Sequence, residues 1–220
     1  MKKLAAILIL LVGISAYADD GWPRSYFFSA GFGAVASKGD FNSRTVSIKD
    51  SSGRKEIVHA PAFEFFANPD FTLGANIREF TLTFNFQIWN SEQVLNGFPD
   101  ESNRENALLW RISMEFIYNL FWPEFFQIGL GASYSYSAAT TENSAFIGED
   151  SYDAEFMGSG LGLIANLKYY ITDNIAMVPF IKIYENWFKN VYTKESELCD
   201  LDSYMWQTFV FVGVNVQYQF

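Results

Sequence analysis

The chain has 220 residues and a net charge of −10, from 15 lysines and arginines against 25 acids, and its single cysteine leaves no partner for an internal disulfide. An acidic chain without a basic patch excludes nucleic acid as a partner. Half of the residues are hydrophobic and 19% are aromatic, yet the mean hydropathy is only +0.02. Apolar residues dispersed through alternating strands give that combination, whereas helical spans concentrate them.

The first residues read as an address rather than as structure. Lys2 and Lys3 precede an apolar run from Leu4 to Ile14, and Ala16-Tyr17-Ala18 offers small residues where a signal peptidase reads. A run of about 11 apolar residues is too short for a lasting transmembrane helix, which takes roughly 20. Residues 1–18 are therefore expected to be a signal peptide, cleaved after Ala18, and residues 19–220 to form one β-barrel domain.

Eight strands are predicted in chain order: Ser25–Val35, Ile57–Ala67, Phe71–Trp89, Ala107–Leu120, Phe126–Ser137, Phe156–Ile171, Ala176–Trp187 and Met205–Phe220. Most alternate between apolar and polar residues, as strands with one face in lipid and one in a wet lumen must. Asn68-Pro69-Asp70 reads as a tight turn. The third segment changes parity between Ile77 and Phe80, which a β-bulge there or a long irregular turn would reconcile. Links after the second, fourth and sixth strands are short, and those after the first, third, fifth and seventh are long. Short turns on one side and long loops on the other are the habit of outer-membrane barrels. Tyr26, Tyr118, Tyr169, Tyr218 and Phe220 then fall at the periplasmic rim, and Trp110, Tyr136 and Trp206 at the outer rim, as two aromatic girdles. A soluble lipocalin-type barrel, with the apolar face inward, is the structural rival.

The last strand alternates without a break, with Val212, Val214, Val216 and Tyr218 against Gly213, Asn215, Gln217 and Gln219, and ends on Phe220. With Lys2-Lys3, Ala16-Tyr17-Ala18 and the eight strands, Tyr218-Gln219-Phe220 resembles the small eight-stranded outer-membrane proteins: the transmembrane domain of outer membrane protein A, and outer membrane proteins X and W. The resemblance implies an all-β, antiparallel up-and-down transmembrane barrel in a Gram-negative-type envelope. It also implies Tyr218 and Phe220 as an insertion signal read by the barrel assembly machinery, and surrounding lipids such as lipopolysaccharide. Length and an apolar mouth lean towards outer membrane protein W, a family linked to small hydrophobic compounds.

Within the lumen, Arg111, Glu115, Lys168 and Lys182 point inward, and Glu64 is expected to join them. They form either a salt-bridged plug or a narrow polar path, since an eight-stranded interior is just wide enough for side chains to fill. Inward glycines on the first, fifth and sixth strands leave wall without side-chain volume. Trp89, Tyr184, Phe209 and Phe211 form an apolar collar at the outer mouth, suited to a small hydrophobic ligand or to plain packing. Cys199 is expected in a loop. The loops 91–106 and 138–155 are acidic, and 36–56 is basic. The only histidine, His59, has no serine in the next three positions, and no phosphate loop, dinucleotide motif or zinc spacing occurs. No enzyme, metal site or cofactor is expected. Two functions stay open: a surface-exposed structural or recognition barrel with an extracellular ligand at its loops, and a narrow porin-like pore or binding barrel for small solutes.

Overall fold

A computed structural model describes residues 24–41, 44–49, 53, 55–60, 62–65, 67–94, 104–121, 126–147, 150–193 and 197–220. The segment 1–18 and its cleavage site lie outside them. Eleven strands follow in order: β1 (Arg24–Gly39), β2 (Arg44–Lys49), β3 (Lys55–Ala60), β4 (Ala62–Phe65), β5 (Ala67–Ile77), β6 (Phe80–Val94), β7 (Arg104–Phe121), β8 (Phe126–Ile147), β9 (Asp150–Tyr170), β10 (Ile175–Thr193) and β11 (Glu197–Gln219).

Eight of these make the wall. β1 pairs with β5, each strand from β5 to β11 pairs with the next, and β11 returns to β1, every pair antiparallel. The predicted eight-stranded up-and-down barrel is the fold found. Closure satisfies every ladder, as hydrocarbon requires. The faces are sorted as for lipid: Phe32, Leu163, Leu161 and Val216 are more than half exposed, while Asn85, Gln87, Ser113, Ser135 and Gln217 are buried inside. That orientation rules out the lipocalin-type alternative.

The second wall strand departs from expectation. Ile57–Ala67 does not cross the barrel, and Asn68-Pro69-Asp70 is not a turn but part of β5. The turn falls at Arg78-Glu79, where Ile77 pairs with Phe80 and Arg78 takes φ 55°. The change of parity at Ile77 is therefore a two-residue hairpin between two strands, not a bulge within one. Pro69 is tolerated because β5 pairs only with β1 at that level, the β6 ladder starting at Asp70, so the missing donor interrupts one ladder at most.

The long links are largely strand, not loop. β8 and β9 continue as a paired hairpin to Ile147 and Asp150, and β10 and β11 to Thr193 and Glu197. Cys199 accordingly sits in β11, buried, rather than in a loop. The first link folds into the hairpin β2–β3, which pairs with β11 through Asp200↔Lys49 and Leu201↔Ile48, and with β8 through Ile57↔Phe146 and Val58↔Ala145. Above the membrane, β8, β9, β10, β11, β2 and β3 thus close a second, narrower ring on top of the first.

Girdle residues take up their rims. Trp110 packs on Tyr136 at 5.7 Å and Trp187 on its cross-strand partner Trp206 at 5.7 Å, at the outer level. At the periplasmic end Tyr26 stacks on Phe220 at 6.5 Å, and the two backbones exchange hydrogen bonds of 3.2 and 2.9 Å. Tyr218 lies beside Phe220 at 6.4 Å. From Trp110 to Tyr118 the chain climbs about 27 Å at roughly 3.4 Å per residue, close to the ~25 Å apolar band of such barrels once tilt is allowed for.

Candidate functional site in the lumen and mouth

Alternation aims every second residue of each wall strand at the axis, so the lumen's chemistry follows from register. Lys182 of β10 is its centre. Its Nζ lies 2.9 Å from Glu115 Oε1 and 3.4 Å from Asp70 Oδ2, and all three side chains are buried. Glu115 also accepts from Tyr184 Oη at 3.2 Å and Thr83 Oγ1 at 2.9 Å. Asp70 accepts from Asn215 Nδ2 at 2.6 Å, Asn85 Nδ2 at 2.9 Å, Gln87 Nε2 at 2.5 Å and Thr72 Oγ1 at 3.3 Å. Satisfied this fully, two carboxylates and an ammonium can stay ionised away from water.

The expected pairing differs at Arg111 and Lys168. Among the described residues Arg111 makes no salt bridge to a carboxylate. Its Nη2 donates to Gln87 Oε1, and the guanidinium lies over the rings of Tyr184, at 3.3 Å from the centroid, and Trp89, at 4.5 Å. Such stacking suits a planar, weakly hydrated cation. Lys168 has no carboxylate among the described residues. Its Nζ donates to Asn76 Oδ1 at 3.0 Å and Thr81 Oγ1 at 3.1 Å, beside the Phe27 ring. Glu64 pairs through its backbone with Glu92 in β4–β6, and its side chain is outside the described residues. Asp70 is the second acid on Lys182. The polar parity of Asn68, Asp70 and Thr72 against Pro69, Phe71 and Leu73 was the available signal, hidden by reading Pro69 as a turn residue.

Four wall glycines face an aromatic cross-strand partner: Gly162 faces Tyr184, Gly158 faces Phe188, Gly213 faces Phe180 and Gly74 faces Phe27. The rings occupy the space that those glycines leave. A Cβ at Gly162 would come within 2.5 Å of Tyr184 Cδ1. Gly162→Ala is expected to lower stability by about 1–3 kcal/mol through overpacking, read as a lower urea midpoint for folding into vesicles; an unchanged midpoint would show that the ring moves freely.

At the mouth, Trp89, Tyr184, Phe209 and Phe211 are fully buried. Trp89 packs on Phe209 at 5.2 Å, and Phe180 on Phe211 at 5.2 Å. They continue upward without a break into the core of the second ring, where Phe41 meets Phe156 at 5.1 Å and Phe188 at 4.8 Å, and where Val46, Ile48, Val58, Ala60 and Leu201 are buried. Phe41 N–H donates to Gln207 Oε1 at 3.1 Å, and Asp40 caps Trp206 N–H at 2.8 Å, holding the start of the first link in place. The collar and the buried residues of the hairpin belong to one apolar cluster. His59 lies in that hairpin, its backbone opposite Thr45, with its side chain outside the described residues. At the opposite end a polar vestibule of about 480 Å³ opens to the periplasmic side, between Asn76, Arg78, Asn119, Gln127 and Tyr170.

An antiparallel ring that is apolar outside, polar inside and girdled by aromatic residues is a transmembrane β-barrel of the outer-membrane kind. No family model matches the chain and no curated protein does. Among solved structures it is similar to Neisserial surface protein A, at 14% identity over 90% of this chain and 99% of that one, with a TM-score of 0.54. It is also similar to the outer membrane protein OprG from Pseudomonas aeruginosa, at 10% identity over 90% and 97%, with a TM-score of 0.55. At such identities the likeness speaks for the fold.

Proposed function

We propose that the chain is a non-conducting, non-enzymatic outer-membrane barrel that displays a rigid recognition platform at the cell surface, built from the raised β8–β11 wall and the β2–β3 hairpin. One observation carries this reading: the continuous apolar core from Trp89 to Val58 seals the mouth with side chains from the chain's own first link. A pore, or a barrel that takes apolar solutes from outside, needs Phe209, Phe211 and Tyr184 to leave well-packed positions. The platform is rigid because its residues sit in ladders rather than in loops, which lowers the ordering cost of binding. Glu142, Asp153, Asp200 and Asp202 are exposed on its β8–β11 wall, against Lys189, while the first link carries Lys38, Arg44, Lys49, Arg54 and Lys55, so the acidic wall fits a partner with a basic face.

Purified protein in planar bilayers is expected to show no conductance steps, and cells bearing it are expected to bind a partner less as salt rises. Replacing residues 44–60 by a short Gly-Ser linker should abolish that binding while the barrel still migrates as a heat-modifiable band. Reproducible unitary steps from the intact protein would overturn the reading in favour of the pore.

A further inference from the structure

Ionisable side chains buried in the lumen do not sum to zero. Among the described residues Arg111, Lys168 and Lys182 are no more than 4% exposed, and the only acids buried to that degree are Asp70 and Glu115, which leaves one positive charge in excess. Both acids are taken up by the Lys182 cluster. Lys168 stands apart, held by the neutral acceptors Asn76 and Thr81. An ammonium out of water with only neutral acceptors is costly, and such charges are ordinarily paired.

Beside it the structure provides room and a second donor. A cavity of about 30 Å³ is bounded by Lys168, Lys182, Gln217, Asn166, Glu115 and Phe180. Gln217 is 2% exposed, and its Nε2 has no acceptor among the described residues. Asn166, whose Oδ1 also lacks a partner, is a further wall residue of the same space. Glu115 on the cavity wall is already neutralised by Lys182 and bonded by Tyr184. Space of this size takes one water or one monatomic ion.

We propose that this cavity is a binding site for a small monovalent inorganic anion, chloride by its size and abundance, held by the Lys168 ammonium and the Gln217 amide. Asn76, which grips Lys168, also lines the periplasmic vestibule, so the ion enters from that side. Arg78 and Glu79 both line that vestibule, so its charges balance and it admits an anion without a repulsive net charge. The site is independent of the recognition reading and would remain if that reading failed.

The full chain folded in detergent micelles tests it. Thermal midpoints are compared at constant ionic strength in sodium chloride, sodium bromide and sodium gluconate, the last too large to enter. Chloride and bromide are expected to raise the midpoint by several degrees, saturably, as a ligand of the folded state does. Lys168→Met and Gln217→Leu are expected to lose that response. Equal midpoints in chloride and gluconate, or a response that persists in Lys168→Met, would overturn the site. Should Lys168→Met not fold, crystals of the unaltered protein grown in bromide decide: an anomalous peak between Lys168 and Gln217 supports the site, and its absence refutes it.

Discussion

Lys182→Met is expected to destabilise the barrel by about 3–5 kcal/mol, the usual consequence of removing one partner from a buried ion cluster. Lys182 is the one cation within 4 Å of both Asp70 and Glu115 among the described residues, and both acids are 2% exposed or less. Without it two carboxylates face each other's field with amide and hydroxyl donors alone. They must either protonate or draw water into a packed lumen. The measurement is the urea dependence of folding into phospholipid vesicles, followed by tryptophan fluorescence. Neutralising the acids together, in Lys182→Met/Asp70→Asn/Glu115→Gln, should recover most of the loss, since the penalty belongs to the orphaned charges and not to the missing methylenes. A single variant as stable as the parent would mean that the cluster is solvated and that the plug is not a plug.

Val58→Asp has the second large effect, confined to the extracellular ring. Val58 is fully buried, lies opposite Val46, and pairs with Ala145 of β8. A carboxylate there has no described partner and costs several kcal/mol to bury. Among the described residues the hairpin is fastened to each flank by two residue pairs, so it is expected to undock rather than unfold the wall beneath it. Arg44, Lys49, Arg54 and Lys55 lie within or beside the hairpin. Trypsin added to whole cells should therefore cut the variant in this stretch and spare the parent, while both remain heat-modifiable on gels. Ser47→Asp, on the exposed face of β2, should behave as the parent does. Equal cleavage of parent and Val58→Asp would show that the hairpin never docks.

The wall was legible wherever alternation alone decides a strand. In β8 from Ile128 to Ser137 and in β11 from Val212 to Gln219 each outward residue is apolar and each inward one small or polar, so parity and orientation follow from period 2. Legibility failed where a strand breaks its own composition rule. Pro69 sits in β5 because one of its two ladders has ended, a fact of tertiary pairing invisible to a local reading. Asp70 was lost with it, and so was the acid that holds Lys182. The β2–β3 hairpin was missed for a related reason. Thr45-Val46-Ser47-Ile48 and the run to Ala60 do alternate, with Gly53 at φ 81° between them, but the pairs that fix them reach Phe146 and Leu201, far along the chain. The inward charges were readable one by one, and their partners were not, because register across four strands decides which of them meet.

The upper ring has an immunological consequence. Its rim joins residues 44–49, 55–60, 145–146 and 200–201, segments far apart in the chain, into one continuous surface. An antibody against that rim reads a composite epitope that no linear peptide reproduces. Sera raised on the folded barrel and on synthetic fragments should therefore recognise different molecules, and only the first should label intact bacteria.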